Sequence, residues 1–430
     1  MVELQDRTTT PFDGIFSRFE RRTDQPAWLS ELRSKGLAAW DRQGIPTTKH
    51  EEWKYTSLRE LSEHHFLPAE PAALTSGDLS TFAYAEDAIR IAVINGRLDH
   101  TISSKLNDVE GLTVEEVCLN SDKPTLLGEI ADVDANPFAA LNAALVEHVI
   151  VIRVAKSAVI ERPIEIMAVM TAGSDAVAAF PRFVLIAEES SQATVVETYG
   201  SIGVGATFQS VVLEADIAKN AVIEHIRVQR ESLDANHISL TQVRQERDST
   251  YRHFSVTFGG KLTRNDTNVF LNGSNLHCRL DGVYVQNGTQ VCDNHTRLDH
   301  AYPHCDSFEV YKGVLSDHAR GVFNGKIYVH QDAQKTDAKQ TNQVILLSPT
   351  ASIDTKPQLE IYADDVKCTH GATVGQLRDE ALFYLRSRGI PLAEARALLV
   401  YAFAAEVLEK IECEPVRVTL ERLLYEKLGN

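Results

Sequence analysis

The stretches "QATVVETYG" (Gln192–Gly200), "NAVIEHIRV" (Asn220–Val228) and "DSTYRHFSV" (Asp248–Val256) share one plan. Each opens on a polar residue, passes through a small one and enters a strand-like run, and the three starts are 28 residues apart. Around them, from about 148 to 367, the chain reads as strand almost throughout. "HVIVIRVAKSAVIERPIEIMAVM" from His148 and "RFVLIAEESSQATVVETYG" from Arg182 are short β-branched runs separated by small or polar residues, with Gly, Asn and Asp turns further on. Less regular strand entries recur at Asp306, His318 and Thr350. Repetition with this much strand and so little helix points to a parallel β-solenoid, whose coils bury their faces only by stacking on one another. Spacing alone leaves a β-sandwich open.

On either side of this centre the period becomes helical. Phe12, Ile15, Phe16, Phe19, Leu29 and Leu32 recur at helical spacing, and Trp28, Trp40 and Trp53 all lie in this amino-terminal part. "GIPTTKHEEWKYTSL" (Gly44–Leu58) interrupts it with Gly and Pro, and "NPFAALNAAL" (Asn136–Leu145) supplies a further helix. After Gly375, Leu377, Ala381 and Leu385 precede a break at Gly389–Pro391, and Ala395, Leu398, Ala402, Ala405 and Leu408 follow it, as in a helical hairpin. Val418–Leu428 reads as a last amphipathic helix. The expected division is a mainly helical region over 1–147, a β-rich core over 148–375 and a helical domain over 376–430.

The 430 residues are 43% hydrophobic, enough for a sizeable core. Sixty acidic residues against 43 basic ones give a net charge of −17, which opposes attraction to nucleic acid or anionic membrane surfaces. Six cysteines are too sparse for a disulfide scaffold. The polar, acid-bearing start and the lack of any long apolar run lead to the expectation of a cytoplasmic protein.

Two constellations offer chemistry. "VCDNHTRLDHAYPHCDS" holds Cys292, His295, His300, His304 and Cys305, residue types that zinc and soft transition metals prefer. The readings are a metal site, in a metal-dependent β-helical enzyme, or buried His and Cys side chains on alternating faces of a strand. The second is "DDVKCTHGATVG" (Asp364–Gly375), with Cys368 and His370 two apart. On a strand that spacing puts both side chains on one face, about 6.5 to 7 Å apart. They are half of a tetrahedral shell, and a nucleophile pair would need an orienting group and an oxyanion hole that nothing local supplies. Phosphate-loop, dinucleotide, nucleophile-elbow and His-Glu-x-x-His motifs are all missing from the sequence. The glycines of "YGSIGVGATF" (Tyr199–Phe208) read as a flexible turn. Asp337, Asp354, Asp364 and Asp365 read as solvated turns, or as carboxylates of a carbohydrate-acting β-helical enzyme.

Several stretches together resemble the SufB/SufD family of iron–sulfur cluster assembly proteins. They are "RGVFNGKIYVHQDAQKTDAKQTNQVILLS" from Arg320, "KPQLEIYADDVKCTHGATVGQL" from Lys356 and "LFYLRSRGIPLAEARALLVYAF" from Leu382, with "GIPTTKHEEWKYTSL", "FAALNAAL", "ERPIEI" and "PRFVLIAEE". The stretch Cys368–Thr373 and "EEWKYTSL" look closer to the SufD type than to SufB. One departure is Glu147-His148, where the family often has an Asp-Gly turn. The resemblance implies a right-handed parallel β-helix between an α-helical amino-terminal region and an α-helical carboxy-terminal region, which favours the solenoid over the sandwich. It also implies a non-catalytic scaffold subunit. A SufB-like subunit would pair through the β-helix, a SufC-like ATPase would dock on the hairpin from about Gln376 to Ile411, and a homodimer would form when the B subunit is missing. No tightly bound cofactor is implied. A transient iron–sulfur cluster would form at the heterodimer interface, with His370 first and Cys368 second among this chain's contributors, both as transient metal contacts.

Overall fold

The computed structural model of the protein describes residues 10–19, 26–117 and 122–429. Cys118, the side chain of Phe19 and the first nine residues lie outside them. Among the described residues two long sheets face each other, and the chain alternates between them. From its carboxy-terminal edge the first sheet runs Ser352–Ile361, Arg320–Val329, Val291–His300, Leu262–Asn272, Ala235–Glu246, Thr207–Ile217, Arg182–Ala187, Val149–Val154, Leu112–Val117. The second runs Lys367–Gly375, Asp337–Leu346, Asp306–Leu315, His277–Gln286, Thr250–Thr257, Val222–Arg230, Gln192–Gly203, Val159–Ala172, Ile89–Ile94, Arg97–Leu98. From Val149 onward all neighbouring strands on these two paths are parallel, so the centre is a β-solenoid and not a sandwich.

The repeat that signals the solenoid is a corner. Ser157, Ser190, Asn220, Asp248, Asn275, His304 and Lys335 all have φ between 57 and 63°, the left-handed region. Their positions mark the same bend in successive coils. The N–H of Ser190 donates to Lys219 O, that of Asn220 to Arg247 O and that of Asp248 to Ser274 O, so each corner is tied to the next coil. Asn and Asp tolerate this backbone better than most residues, and here the Asn side chains also tie one corner to the corner of the preceding coil. Asn220 Nδ2 donates to Ser190 Oγ and Asn275 Nδ2 to Asp248 Oδ1. Gln192 is not the counterpart of Asn220: it pairs with Val222, and Val222 with Thr250. The coil lengths are thus unequal, and the even spacing read from the sequence compares a strand residue with two corner residues.

Alternate side chains point into the lumen. Ile164, Phe183, Leu185, Val195, Leu213, Ile223, Val243, Leu280, Leu298 and Ile327 form its apolar part. A polar part is also sealed inside. Glu197 bonds His225 Nε2 at 3.0 Å and accepts from the Tyr199 hydroxyl, while His225 Nδ1 meets the Tyr251 hydroxyl at 2.8 Å. Arg227 donates to Ser239 and Ser255. Burial pushes the Glu197 carboxyl up, but His225 and Arg227 outweigh it and hold it below the usual range.

Helices cover both outer faces. In the amino-terminal part α1 (Asp13–Phe19), α2 (Ala27–Gln43) and α3 (Pro137–Leu145) pack Ile15, Trp40, Phe138 and Leu141, together with Phe12 just ahead of α1, on Phe208, Ile238 and Leu262 of the first sheet. Asn136 caps α3 by accepting from the N–H groups of Phe138 and Ala139, with Pro137 at the first turn. Gly36 of α2 allows this packing, because a Cβ there would press on Ala140 O, Ala143 Cβ and Ala144 N. The expectation of a mainly helical 1–147 omits the strands Ile89–Ile94 and Leu112–Val117, which extend the two sheets. Leu112–Val117 is an edge strand that alternates buried and exposed residues, whereas Ile89–Ile94 lies one strand in from the edge and is almost wholly buried. At the departure from the family pattern, Glu147 pairs with Arg97 and His148 with Glu116.

In the carboxy-terminal part α4 (Asp379–Ser387), α5 (Leu392–Leu408) and α6 (Glu414–Gly429) follow the strand Lys367–Gly375. Val400, Ala404, Val407, Leu408, Leu420 and Leu424 of α5 and α6 bury Ile226, Val228, Phe254, Val256 and Val283 of the second sheet. Gly389, at φ 86°, makes the bend between α4 and α5.

Between α3 and the first sheet, Glu214 and Arg182 are fully buried and 2.7 Å apart. Glu214 also accepts from the N–H groups of Gly128, Ile130 and Ala131, and Arg182 from its side donates to Asn142 Oδ1. Arg182→Met strands this carboxylate without its cation. The expected loss is about 3–5 kcal/mol, seen as a lower urea midpoint in circular dichroism.

Candidate functional site at the open end of the solenoid

The two ends of the solenoid differ. At the amino-terminal end the sheets are closed by antiparallel pairs, Val93 with Leu98 in one and Leu112 with Val154 in the other. At the carboxy-terminal end the strands Ser352–Ile361 and Lys367–Gly375 have no further neighbour on these paths among the described residues. Residues 352–361 are half-buried or exposed, as are 367–375, unlike the buried coils behind them. An unpaired strand offers a row of free N–H and C=O groups. The first of these edges is protected by Pro357 and by Asp354, Lys356 and Glu360. The second carries no Asp, Glu, Lys or Arg after Lys367.

Cys368 and His370 sit on that second edge. Cys368 pairs in register with Ala338, and His370 with Gln340. The Cys368 side chain packs against the interior apolar cluster, so it faces the lumen, and the period of two puts His370 on the same side. Cys368 is half-buried and His370 exposed. Burial pushes the Cys368 thiol up, so it is not a preformed thiolate. Among the described residues no hydrogen bond joins the pair, and the nucleophile-and-base arrangement is not built here. The placement of both side chains on one side of a strand, expected from the spacing, is seen.

The other constellation is dispersed. Cys292 points inward, packed with Tyr284, Leu315 and Val344, and Asn294 Nδ2 approaches its sulfur at 3.4 Å. Burial pushes its thiol up to about 12. His300 also points inward but eight residues along the same strand, roughly 26 Å away. It meets Ser307 Oγ at 2.9 Å, and burial lowers it to about 4, so it is neutral. His304 is the exposed left-handed corner residue of its coil, and Cys305 donates to Gly273 O inside. His295 lies on the opposite, outer face. Among the described residues no group of three or more His, Cys, Asp or Glu could hold a metal ion. The close sequence spacing is therefore misleading, because it spans both faces of a strand and a corner.

His295 belongs to a clamp that sequence reasoning missed. Its Nε2 is 3.0 Å from Asp293 Oδ1 and its Nδ1 is 3.5 Å from Glu52 Oε2. Arg264 Nη1 bonds Asp293 and the carbonyl of Glu52, and its guanidinium lies 3.8 Å from the centre of the Trp53 ring. Thr56 donates to Asp293 at 2.6 Å, and Lys356 pairs with Glu51. "EEWKYTSL" is thereby bolted to the outer face of the first sheet. The signal in the sequence is the Glu52-Trp53 pair, which needs a cationic partner that only the fold identifies.

A family described as "SUF system FeS cluster assembly, SufBD core domain" matches residues 169–403, and one described as "SufBD protein N-terminal region" matches 16–166. The iron–sulfur cluster assembly protein SufD of Escherichia coli is 36% identical, over 87% of this chain and 88% of its own. A SufBD family iron–sulfur cluster assembly protein of Synechocystis is 32% identical over 89% and 88%. SufD of Bacillus subtilis is 26% identical over 95% and 96%.

The clamp has a pH signature. Burial and Arg264 push the His295 imidazole down, but Asp293 and Glu52 outweigh them and hold it above the usual range. A raised folded value stabilises fully below the unfolded value of about 6.5 and is lost as pH rises through the folded value. His295→Gln is therefore expected to cost more stability at pH 6 than at pH 9, measured as the difference in urea midpoint from the unchanged chain.

Proposed function

The chain belongs to the SufBD family of SUF-system iron–sulfur cluster assembly proteins, and from that premise we propose that it is the D-type scaffold subunit of a cluster-assembling complex. Its open second-sheet edge pairs with a B-type subunit. Cys368 and His370 supply half of the shell for a nascent cluster, which is the cargo of the site, and the partner supplies the rest. The chain itself catalyses nothing, and a C-type ATPase hydrolyses nucleotide elsewhere in the complex. The setting is the cytoplasm.

The observation that carries this reading is the lumen-facing Cys368 and His370 on an unpaired, nearly uncharged edge strand. A Cβ at Gly371 would meet nothing within 4 Å, so the strand is open to another chain. Ile361, Tyr362 and Val374 add exposed apolar surface there. The ATPase contact on the hairpin from about Gln376 to Ile411 is supported by α4, which buries none of its own residues and exposes Phe383 and Tyr384. Apolar surface of this kind marks interaction sites. Without the B-type subunit the same edge pairs with a second copy of this chain.

Co-expression with the cognate B- and C-type subunits, followed by gel filtration, is expected to give a heteromeric complex. A chain that elutes alone at every concentration overturns the proposal. Within the complex, His370→Ala is expected to lower cluster formation from ferrous iron and sulfide about tenfold or more, with circular dichroism and subunit composition unchanged.

A further inference from the structure

Behind His370 the lumen holds two polar side chains at the same position of the two preceding coils. Glu309 pairs in register with Gln340, and Gln340 with His370. Glu309 and Gln340 are each 1% exposed. Gln340 Nε2 donates to Glu309 Oε2 at 2.7 Å, which orients the amide and turns its carbonyl oxygen away from the carboxyl group. That oxygen, Gln340 Oε1, is buried and has no hydrogen-bond partner among the described residues. From the facing sheet Gly325 makes room for the amide, since a Cβ there would overlap Gln340 Nε2. Two neighbouring residues thus hold the amide in place, one by a hydrogen bond and one by having no side chain.

A buried acceptor with no donor is costly, and native structures seldom leave one without a reason. The next coil brings His370 to within one strand spacing, about 4.8 Å between backbones, on the same lumen side. An imidazole that holds a metal through one ring nitrogen commonly donates its other N–H to a carbonyl or carboxylate oxygen, which fixes tautomer and ring direction. We infer that Gln340 is a positioning residue for His370, its Oε1 accepting the imidazole N–H when cargo engages the other ring nitrogen, with Glu309 fixing the direction of the amide. The inference rests on the reading of His370 as a cargo contact. It assigns work to two residues that have no exposed surface and stand 30 and 61 positions before His370 in the chain.

The test uses the assembled complex, with ferrous iron and sulfide as the probe and visible absorption of the cluster as the readout. Gln340→Leu keeps volume and removes the acceptor. It is expected to lower cluster formation about tenfold, at unchanged complex formation. The double exchange of Glu309→Gln with Gln340→Glu restores one amide and one carboxylate to the pair and sets a carboxylate beside His370, so it is expected to recover most of the loss. A purely structural role predicts instead that cluster formation follows thermal stability across the variants. Unchanged cluster formation in Gln340→Leu, together with a loss in His370→Ala, overturns this inference and leaves the site reading intact. Unchanged formation in His370→Ala overturns the site reading itself. Should Gln340→Leu not fold, Glu309→Gln alone carries the test: it frees the amide to turn, and full activity there overturns the inference.

Discussion

A solenoid coil has no interior of its own. Each one buries its lumen side chains and pairs its backbone only against the coils before and after it, so the last coil is the one that geometry leaves incomplete. In this chain the amino-terminal end is finished by antiparallel strands and the outer faces by helices. The final strands, Ser352–Ile361 and Lys367–Gly375, are left with half-buried and exposed residues where earlier coils are buried. The position of Cys368 and His370 on an uncovered strand and the exposure of His370 follow from that incompleteness.

The stacking rule governs polar groups as well. A buried carboxylate or guanidinium needs partners across the lumen or from adjacent coils: Glu197 with His225, Arg227 with Ser255 and Glu309 with Gln340 find them one coil away, and Arg227 also reaches Ser239 on the facing sheet. Such pairs act on register. A shift of one residue between coils would turn every one of these side chains to the outer face. These polar pairs therefore help hold the coils aligned, and one of them, Glu309 with Gln340, stands in register beneath His370.

The Cys/His group at 292–305 shows how sequence proximity and spatial proximity part in such a fold. Cys292 and His300 share a face but stand eight strand positions apart, His295 faces outward to Glu52, and His304 turns the corner. Residues two apart on a strand meet on one face, and residues one coil apart touch. Those between two and a coil apart generally do neither. By that measure Cys368 and His370 are the better-placed pair, and Glu309 and Gln340 stand in register behind His370 although they lie far away in the chain.

Much of this was legible beforehand. Repeated strand runs with Gly, Asn and Asp turns indicated a β-rich centre, and the family resemblance favoured the solenoid over the sandwich. Pro137 after Asn136, and Gly389 before Pro391, marked helix boundaries by local chemistry. The i, i+2 spacing placed Cys368 and His370 on one side of a strand, since alternation is a property of the backbone alone. The tertiary structure decided what depends on coil length. Coils advance by unequal numbers of residues, as the register of Gln192, Val222 and Thr250 shows, so the sequence period cannot say which side chains stack. Only the pairing of strands put Gln340 beneath His370, bound Arg264 over Trp53 and separated the members of the 292–305 group. Contacts between coils are set by register, and register is a property of the folded whole.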